Sequence, residues 1–368
     1  MYALGVSIAM ITSLLTRWEI GNLIRVDSYY QDEGFSLAWS MTKLLVYVEV
    51  IVLILVTITS HFLGLSKEIC YVIFLSGFFG AIDKFGNLLR CDLEGKMQFK
   101  QNFKVKIIFT PIVALITIPM AVMGFGVWAL LSSVWVGPLI NWVVFRKVNP
   151  RKLPMGLIKF IELKKIIKPS FWQWMCFCGQ TLFVRADKLA VGAVASETEV
   201  GFYNRAFNFA PISFLGLGAL AGGPAIVIFS KDLEVKSLWE IYFKRAAILI
   251  GSGILFGSAW LLWGEFLVGL IFGENWLPAV PYFQAFAMFG AVKGLYYLTT
   301  ALMQGKKLYQ CQALINFSIL GVVAIVGLFA LRDGLSFVYL LQVAMLASSI
   351  VMLLYTRWYL KRDDLVNK

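Results

Sequence analysis

Histidine and charge are both scarce in this chain. His61 is its single histidine, which excludes histidine-built zinc sites and Ser-His-Asp triads. A lone histidine near a helix end reads as structural. Charged residues make up only 15% of the sequence and hydrophobic ones 60%, with a mean hydropathy of +0.78. Soluble domains carry about 25% charged residues, so the composition excludes a soluble globular chain and indicates an all-α polytopic membrane protein. The five cysteines (Cys70, Cys91, Cys176, Cys178 and Cys311) lie in or beside apolar segments without framework spacing. Cys176 and Cys178 point about 200° apart on a helix and cannot grip a metal together. No metal set and no cofactor are expected.

What the chain does have is long apolar runs. A spanning helix needs about 20 mostly apolar residues. That criterion predicts spans over 2–24, 44–64, 70–90, 107–124, 126–145, 169–192, 203–229, 246–264, 280–303, 310–331 and 335–356, eleven in all. The segment 155–168 alternates apolar and basic faces and reads as an interfacial linker helix. Residues 265–277 read as a second interfacial segment. With the loop after the first span placed in the cytoplasm, 25 of the 33 Lys and Arg fall in cytoplasmic loops. Only Lys67 and Arg332 fall on the other side. That bias sets the orientation and puts the C-terminus in the cytoplasm.

The chain also repeats itself. FGAIDKFGNLLRCDLEGK (79–96) aligns with FGAVKGLYYLTTALMQGK (289–306) at an offset of 210, keeping Phe-Gly-Ala and Gly-Lys. Tyr2 and Gly21 align with Tyr203 and Gly222 at an offset of 201. The repeat predicts two parallel-repeat lobes around a central cavity, which is a transporter architecture. The N-terminal lobe covers 1–145, a basic amphipathic linker 146–168, and the C-terminal lobe with a short tail 169–368. The second lobe opens with the span 169–192, which has no counterpart at the start of the first. Twelve helices are therefore expected, the first being absent from this chain.

Six Lys and Arg fall within the spans, where charge is costly and tends to mark a pathway or a pairing site. Lys293 lies near mid-membrane. Asp83 is its repeat equivalent, with Lys84 beside it, and Arg17 sits in the first span next to Glu19. Lys293, Lys84, Arg17 and Asp83 are the candidate substrate-binding residues of a cavity. Arg185, Asp187, Lys188 and Arg205 fall near the outer end of their helices and are candidates for an outer gate or for lobe pairing. For each of them, structural pairing or snorkelling is the competing reading. Gly253 and Gly257 form a small-xxx-small pattern suited to close helix packing.

The segments GFGVWALLSSVW (124–135), LEGKMQFK (93–100), RADKLAVGAVASETEVGFYNRAF (185–207) and FGENWLPAVPYFQAFAMFG (272–290) carry a resemblance. In their order and spacing the chain resembles the polysaccharide exporter family, the O-antigen and colanic-acid-type flippases of the multidrug/oligosaccharidyl-lipid/polysaccharide exporter superfamily. The resemblance implies a bacterial inner-membrane flippase for undecaprenyl-pyrophosphate-linked oligosaccharide, the repeat unit of O-antigen, capsule or exopolysaccharide. Alternating access of two lobes is the implied mechanism. Membrane lipids and a glycan polymerase are the implied partners, and nucleic acid is not one. Lys and Arg within spans suit a diphosphate, Arg through its bidentate fork and Lys as a point charge. Three alternatives stand beside this reading. A drug/cation antiporter of the same superfamily would favour acidic cavity residues. A glycan polymerase or ligase would need a large outer loop, which the span pattern does not leave. An inactive truncated homologue is the third.

Overall fold

The computed structural model describes residues 2–154, 156, 160–194, 197–209, 217, 220–330 and 334–366. Among the described residues every regular element is helical. Two compact units comprise residues 1–177 and 178–368.

In the first unit the helices are α1 (Tyr2–Thr16), α2 (Ile20–Val26), α3 (Ser28–Gln31), α4 (Phe35–Phe62), α5 (Lys67–Gly95), α6 (Phe99–Val122) and α7 (Val127–Val148). α8 (Phe160–Val194) begins in the first unit and ends in the second. The second unit continues with α9 (Glu197–Phe209), α10 (Gly223–Phe229) and α11 (Val235–Phe272). A 3-10 turn (Glu274–Ala279) leads into α12 (Val280–Ala285), α13 (Phe289–Gly305), α14 (Tyr309–Ala330) and α15 (Gly334–Val366).

The repeat is visible in the backbone. α6 starts at Phe99 and α14 at Tyr309, the 210-residue offset of the sequence. The turn before each uses a residue with φ of 57°, Met97 and Lys307, again 210 apart. α5 packs on α1, α2, α4 and α7, and α13 packs on the equivalent α10, α11 and α15. Each of these central helices ends in a glycine at a close approach. A Cβ on Gly95 would lie 2.9 Å from the Ile24 carbonyl oxygen, and one on Gly305 would lie 3.0 Å from that of Ile226. Each lobe thus presses a seven-residue helix, α2 or α10, against the end of its central helix.

Several predicted spans differ from the observed helices, each for a physical reason. The span 2–24 is broken at Arg17-Trp18-Glu19, where Glu19 adopts the left-handed conformation (φ 47°, ψ 38°). A straight helix would have carried Arg17 and Glu19 through the membrane; the break lets them pair. The carbonyls orphaned at the end of α1 are taken by indoles: Trp174 Nε1 donates to the Leu14 carbonyl at 2.9 Å and Trp18 Nε1 to that of Leu15 at 3.2 Å. The span 203–229 is likewise divided between α9 and α10. The described part of the interfacial segment 155–168 is mostly the start of α8, which runs on through Pro169. Most of 265–277 continues α11, which bends at Trp263 (φ −124°). Five helices among the described residues are long and apolar enough to cross a membrane, or six with the pair Glu274–Ala285 and Phe289–Gly305, bent by 44°, taken as one.

The core of the second unit is aromatic, with Tyr203, Phe283, Phe286, Phe289 and Tyr296 almost fully buried. α11 reaches α13 through Gly253, where an added Cβ would sit 2.3 Å from the Ala291 Cβ. Overpacking of this kind costs about 1–3 kcal/mol. Gly253→Leu is expected to lower the thermal midpoint of the detergent-solubilised protein by several degrees. Gly251→Leu, with no atom within 4 Å of its added Cβ, is expected to leave it unchanged. Equal midpoints for the two variants would contradict the packing.

Candidate functional site in the first unit

The end of α1, the break after it, α4 and α5 line an open cleft with a cavity volume of about 50 Å³. Arg17, Asp83 and Lys84, three of the four predicted cavity residues, line it together with Glu19, Thr16, Thr42 and Asn87. Lys293 belongs to the second unit.

Each charge in the cleft has a partner. Lys84 Nζ donates to the Thr16 hydroxyl at 2.6 Å and forms a short ion pair with Glu49 Oε2. Glu49 comes from α4 and is fully buried. Its other oxygen, Oε1, has no hydrogen-bond partner among the described residues. Arg17 Nε donates to Glu19 Oε1 at 2.9 Å, and the guanidinium stands 4.9 Å over the Phe177 ring. The Arg17 side chain keeps 49% of its surface exposed. Asp83 Oδ1 accepts from Asn141 Nδ2 of α7 at 2.7 Å. The aromatic wall beside the break is Trp18 stacked on Trp174 (6.1 Å between centroids) with Phe171 edge-on. The cleft is therefore lined by two cations and two carboxylates, Arg17 and Lys84 with Glu19 and Asp83, while Glu49 lies buried behind Lys84.

Glu49 is the residue that sequence reasoning missed. Its signal was available: it is the only Asp, Glu, Lys or Arg between Lys43 and Lys67, and a lone carboxylate in such a run asks for a partner.

A second polar network closes the α5 end of this unit. Arg25 Nε donates to Glu94 Oε2 at 2.7 Å, and Asn102 Nδ2 to Glu94 Oε1 at 2.7 Å. Asp92 accepts from Asn149 Nδ2 at 2.8 Å and from Arg151 Nη1 at 2.7 Å. Arg151 also lies 4.0 Å over Phe35. Arg25 and Arg151, read from sequence as loop cations, thus tie α2 and the segment after α7, respectively, to α5. Lys43 holds the same segment farther on, donating to the Pro154 and Gly156 carbonyls at 2.9 and 2.6 Å.

In the second unit, Lys293 Nζ lies 5.5 Å from the Phe207 ring centroid and 5.6 Å from that of Phe289, both at cation–π range. Arg205 is exposed and stands 5.7 Å from the Trp276 ring. Arg185, Asp187 and Lys188 fall on α8, but their side chains lie outside the described residues. At the turn after α13, Lys306 Nζ donates to the Lys231 carbonyl at 3.2 Å. Burial there pulls the Lys306 ammonium below the ordinary lysine pKa, with Asp232 opposing the shift.

The sequence profile of the family described as "polysaccharide biosynthesis protein" matches residues 1–281. The teichuronic acid biosynthesis protein TuaB of Bacillus subtilis (strain 168) is 22% identical over 160 residues, 43% of this chain. That match spans 32% of the relative's length. Among solved structures, an outward-facing multidrug resistance MATE family transporter of the MOP superfamily superposes with a TM-score of 0.74 at 12% identity. The superposition covers 98% of this chain and 87% of that one. A MOP superfamily transporter from Pyrococcus furiosus, described as having a binding pocket of reverse polarity, gives 0.68 at 13% identity, over 97% and 85%. At these identities the likeness is one of fold.

Breaking a buried ion pair from one side costs about 3–5 kcal/mol, because the remaining charge is stranded. Glu49→Ala is therefore expected to destabilise the solubilised protein strongly, and Glu49→Leu with Lys84→Met to recover most of that loss. A double-mutant cycle in thermal unfolding checks this; additive losses would contradict the pairing.

Proposed function

Since the chain belongs to the polysaccharide biosynthesis protein family and has the fold of a membrane transporter, we propose that it is a flippase for undecaprenyl-pyrophosphate-linked oligosaccharide. In this reading it carries an O-antigen, capsule or exopolysaccharide repeat unit across the bacterial inner membrane by alternating access of its two lobes. The C-terminus lies in the cytoplasm, and a glycan polymerase receives the product. The observation that carries the reading is the family match over residues 1–281, which includes the whole charged cleft.

The reaction makes no covalent bond. The protein must shelter a sugar chain and a diphosphate while the polyprenyl tail stays in lipid. Arg17 and Lys84 are assigned to the diphosphate, with Asp83 as a neighbouring acid. Lys293 is assigned a substrate contact in the second unit, and Arg185, Asp187, Lys188 and Arg205 an outer gate. Uncovering Arg17 and Lys84 from their carboxylates is then part of the binding step.

A drug/cation antiporter is the second reading, and two observations favour it. Carboxylates equal cations along the cleft, with Glu49 buried behind Lys84, and a structural neighbour is a multidrug resistance transporter. Complementation separates the two. In a bacterium lacking its own exporter, the chain is expected to restore surface glycan. Lys293→Ala is expected to cut that export about tenfold or more with membrane insertion intact. Resistance to cationic dyes without restored glycan would favour the antiporter. Full export by a well-inserted Lys293→Ala protein would remove that residue's role.

A further inference from the structure

The cleft of the first unit has an aromatic shoulder beside its charges. Trp18 lines the cleft together with Arg17 and Glu19 and is half-buried. Trp174 stacks on it at 6.1 Å between centroids, and Phe171 meets it edge-on at 6.4 Å. Both indole donors are spent on α1, Trp18 Nε1 on the Leu15 carbonyl and Trp174 Nε1 on that of Leu14. What Trp18 can offer a ligand is therefore its ring, held in place by these contacts. A ring fixed before binding costs little ordering when a ligand arrives.

The repeated scaffold does not require that ring. At the 201-residue offset that aligns Gly21 with Gly222, Arg17-Trp18-Glu19 corresponds to Gly218-Ala219-Leu220. The second lobe carries neither ring nor charge at these positions. An indole, a guanidinium and a carboxylate side by side are the groups that hold a phosphorylated saccharide. The indole face is the negative pole of its quadrupole and takes the weakly positive C–H face of a pyranose. A carboxylate accepts from sugar hydroxyls, and arginine takes an attached phosphate.

The spacing suits such a ligand. Arg17 is exposed, its Nε is taken by Glu19, and no hydrogen bond among the described residues occupies its terminal nitrogens. Neighbouring Cα atoms lie about 3.8 Å apart. A diphosphate on Arg17 thus brings the sugar joined to it through one glycosidic oxygen beside Trp18. The cavity of about 50 Å³ holds only a few waters. A pyranose therefore lies across the open mouth, on the indole, and not inside.

We propose that Trp18 is the stacking platform for the sugar nearest the diphosphate, with Glu19 accepting from its hydroxyls. The inference rests on the reading that a diphosphate-linked glycan enters this cleft.

The test compares binding of two ligands to the solubilised full chain: a short polyprenyl diphosphate, bare or carrying one glucose. The glucose is expected to raise affinity about tenfold in the wild type. In Trp18→Leu that gain is expected to vanish. Trp18→Phe keeps a ring but loses the bond to the Leu15 carbonyl, and is expected to retain most of the gain. The ratio between the two ligands cancels any effect of a substitution on the diphosphate itself. Hydroxyl-radical labelling of the wild type, read by peptide mass spectrometry, gives a second measure that needs no variant. The glucosylated lipid is expected to protect Trp18 severalfold more than the bare one. Equal affinities in the wild type, a gain that survives in Trp18→Leu, a gain lost as fully in Trp18→Phe, or equal labelling overturns the inference and leaves the flippase reading standing. Binding of neither lipid overturns both.

Discussion

The ion pair between Lys84 and Glu49 shows the constraint on which the first unit is built. A charge placed in apolar helices must find its counter-charge within reach, because water and lipid headgroups are too far away to serve. The pairing fixes α5 against α4, and the Thr16 hydroxyl ties the same ammonium to the end of α1. The chain then turns out of helix at Arg17-Trp18-Glu19, which allows a second pair to form without a straight helix carrying both charges. Indole donors from Trp18 and Trp174 cover the carbonyls that the break exposes. The cleft is what remains between these pairings.

The two units share a scaffold and differ in what they place on it. Offsets of 210 residues relate the central helices, the turns after them and the helices that follow. At the position of Asp83 the second unit has Lys293, and at that of Lys84 it has Gly294. The acid of the first unit accepts from an asparagine; the lysine of the second lies among Phe207 and Phe289. Electrostatic work in the first lobe is done by carboxylates, whereas aromatic faces surround the equivalent cation in the second. Both lobes keep the close helix approaches at Gly95 and Gly305, whatever charges each adds beside them.

The all-helical, membrane-spanning class was legible because apolar runs and scarce charge leave little else. The repeat was legible because Gly-Lys at 95–96 and 305–306 marks a tight turn whose geometry tolerates few substitutes. Arg17, Asp83 and Lys84 were legible as candidates because charge stands out against apolar sequence. Their partners were not. Glu49 lies 35 residues before Lys84 and on another helix, and pairing across helices depends on rotation that periodicity alone does not fix. The break at residues 17–19 was hidden for the same reason, since the run 2–24 is apolar enough for a continuous helix. Arg25 and Arg151 read as loop charges because helix ends and loops have the same composition, yet the structure buries Arg25 and binds Arg151 to Asp92.

The account turns on what the protein moves. Purified protein in liposomes can be offered two substrates side by side: a fluorescent polyprenyl-diphosphate-linked oligosaccharide in one leaflet, and a lipophilic cationic dye under a pH gradient. The account predicts protein-dependent passage of the glycolipid between leaflets and no gradient-driven movement of the dye. Dye movement with a stationary glycolipid would contradict it.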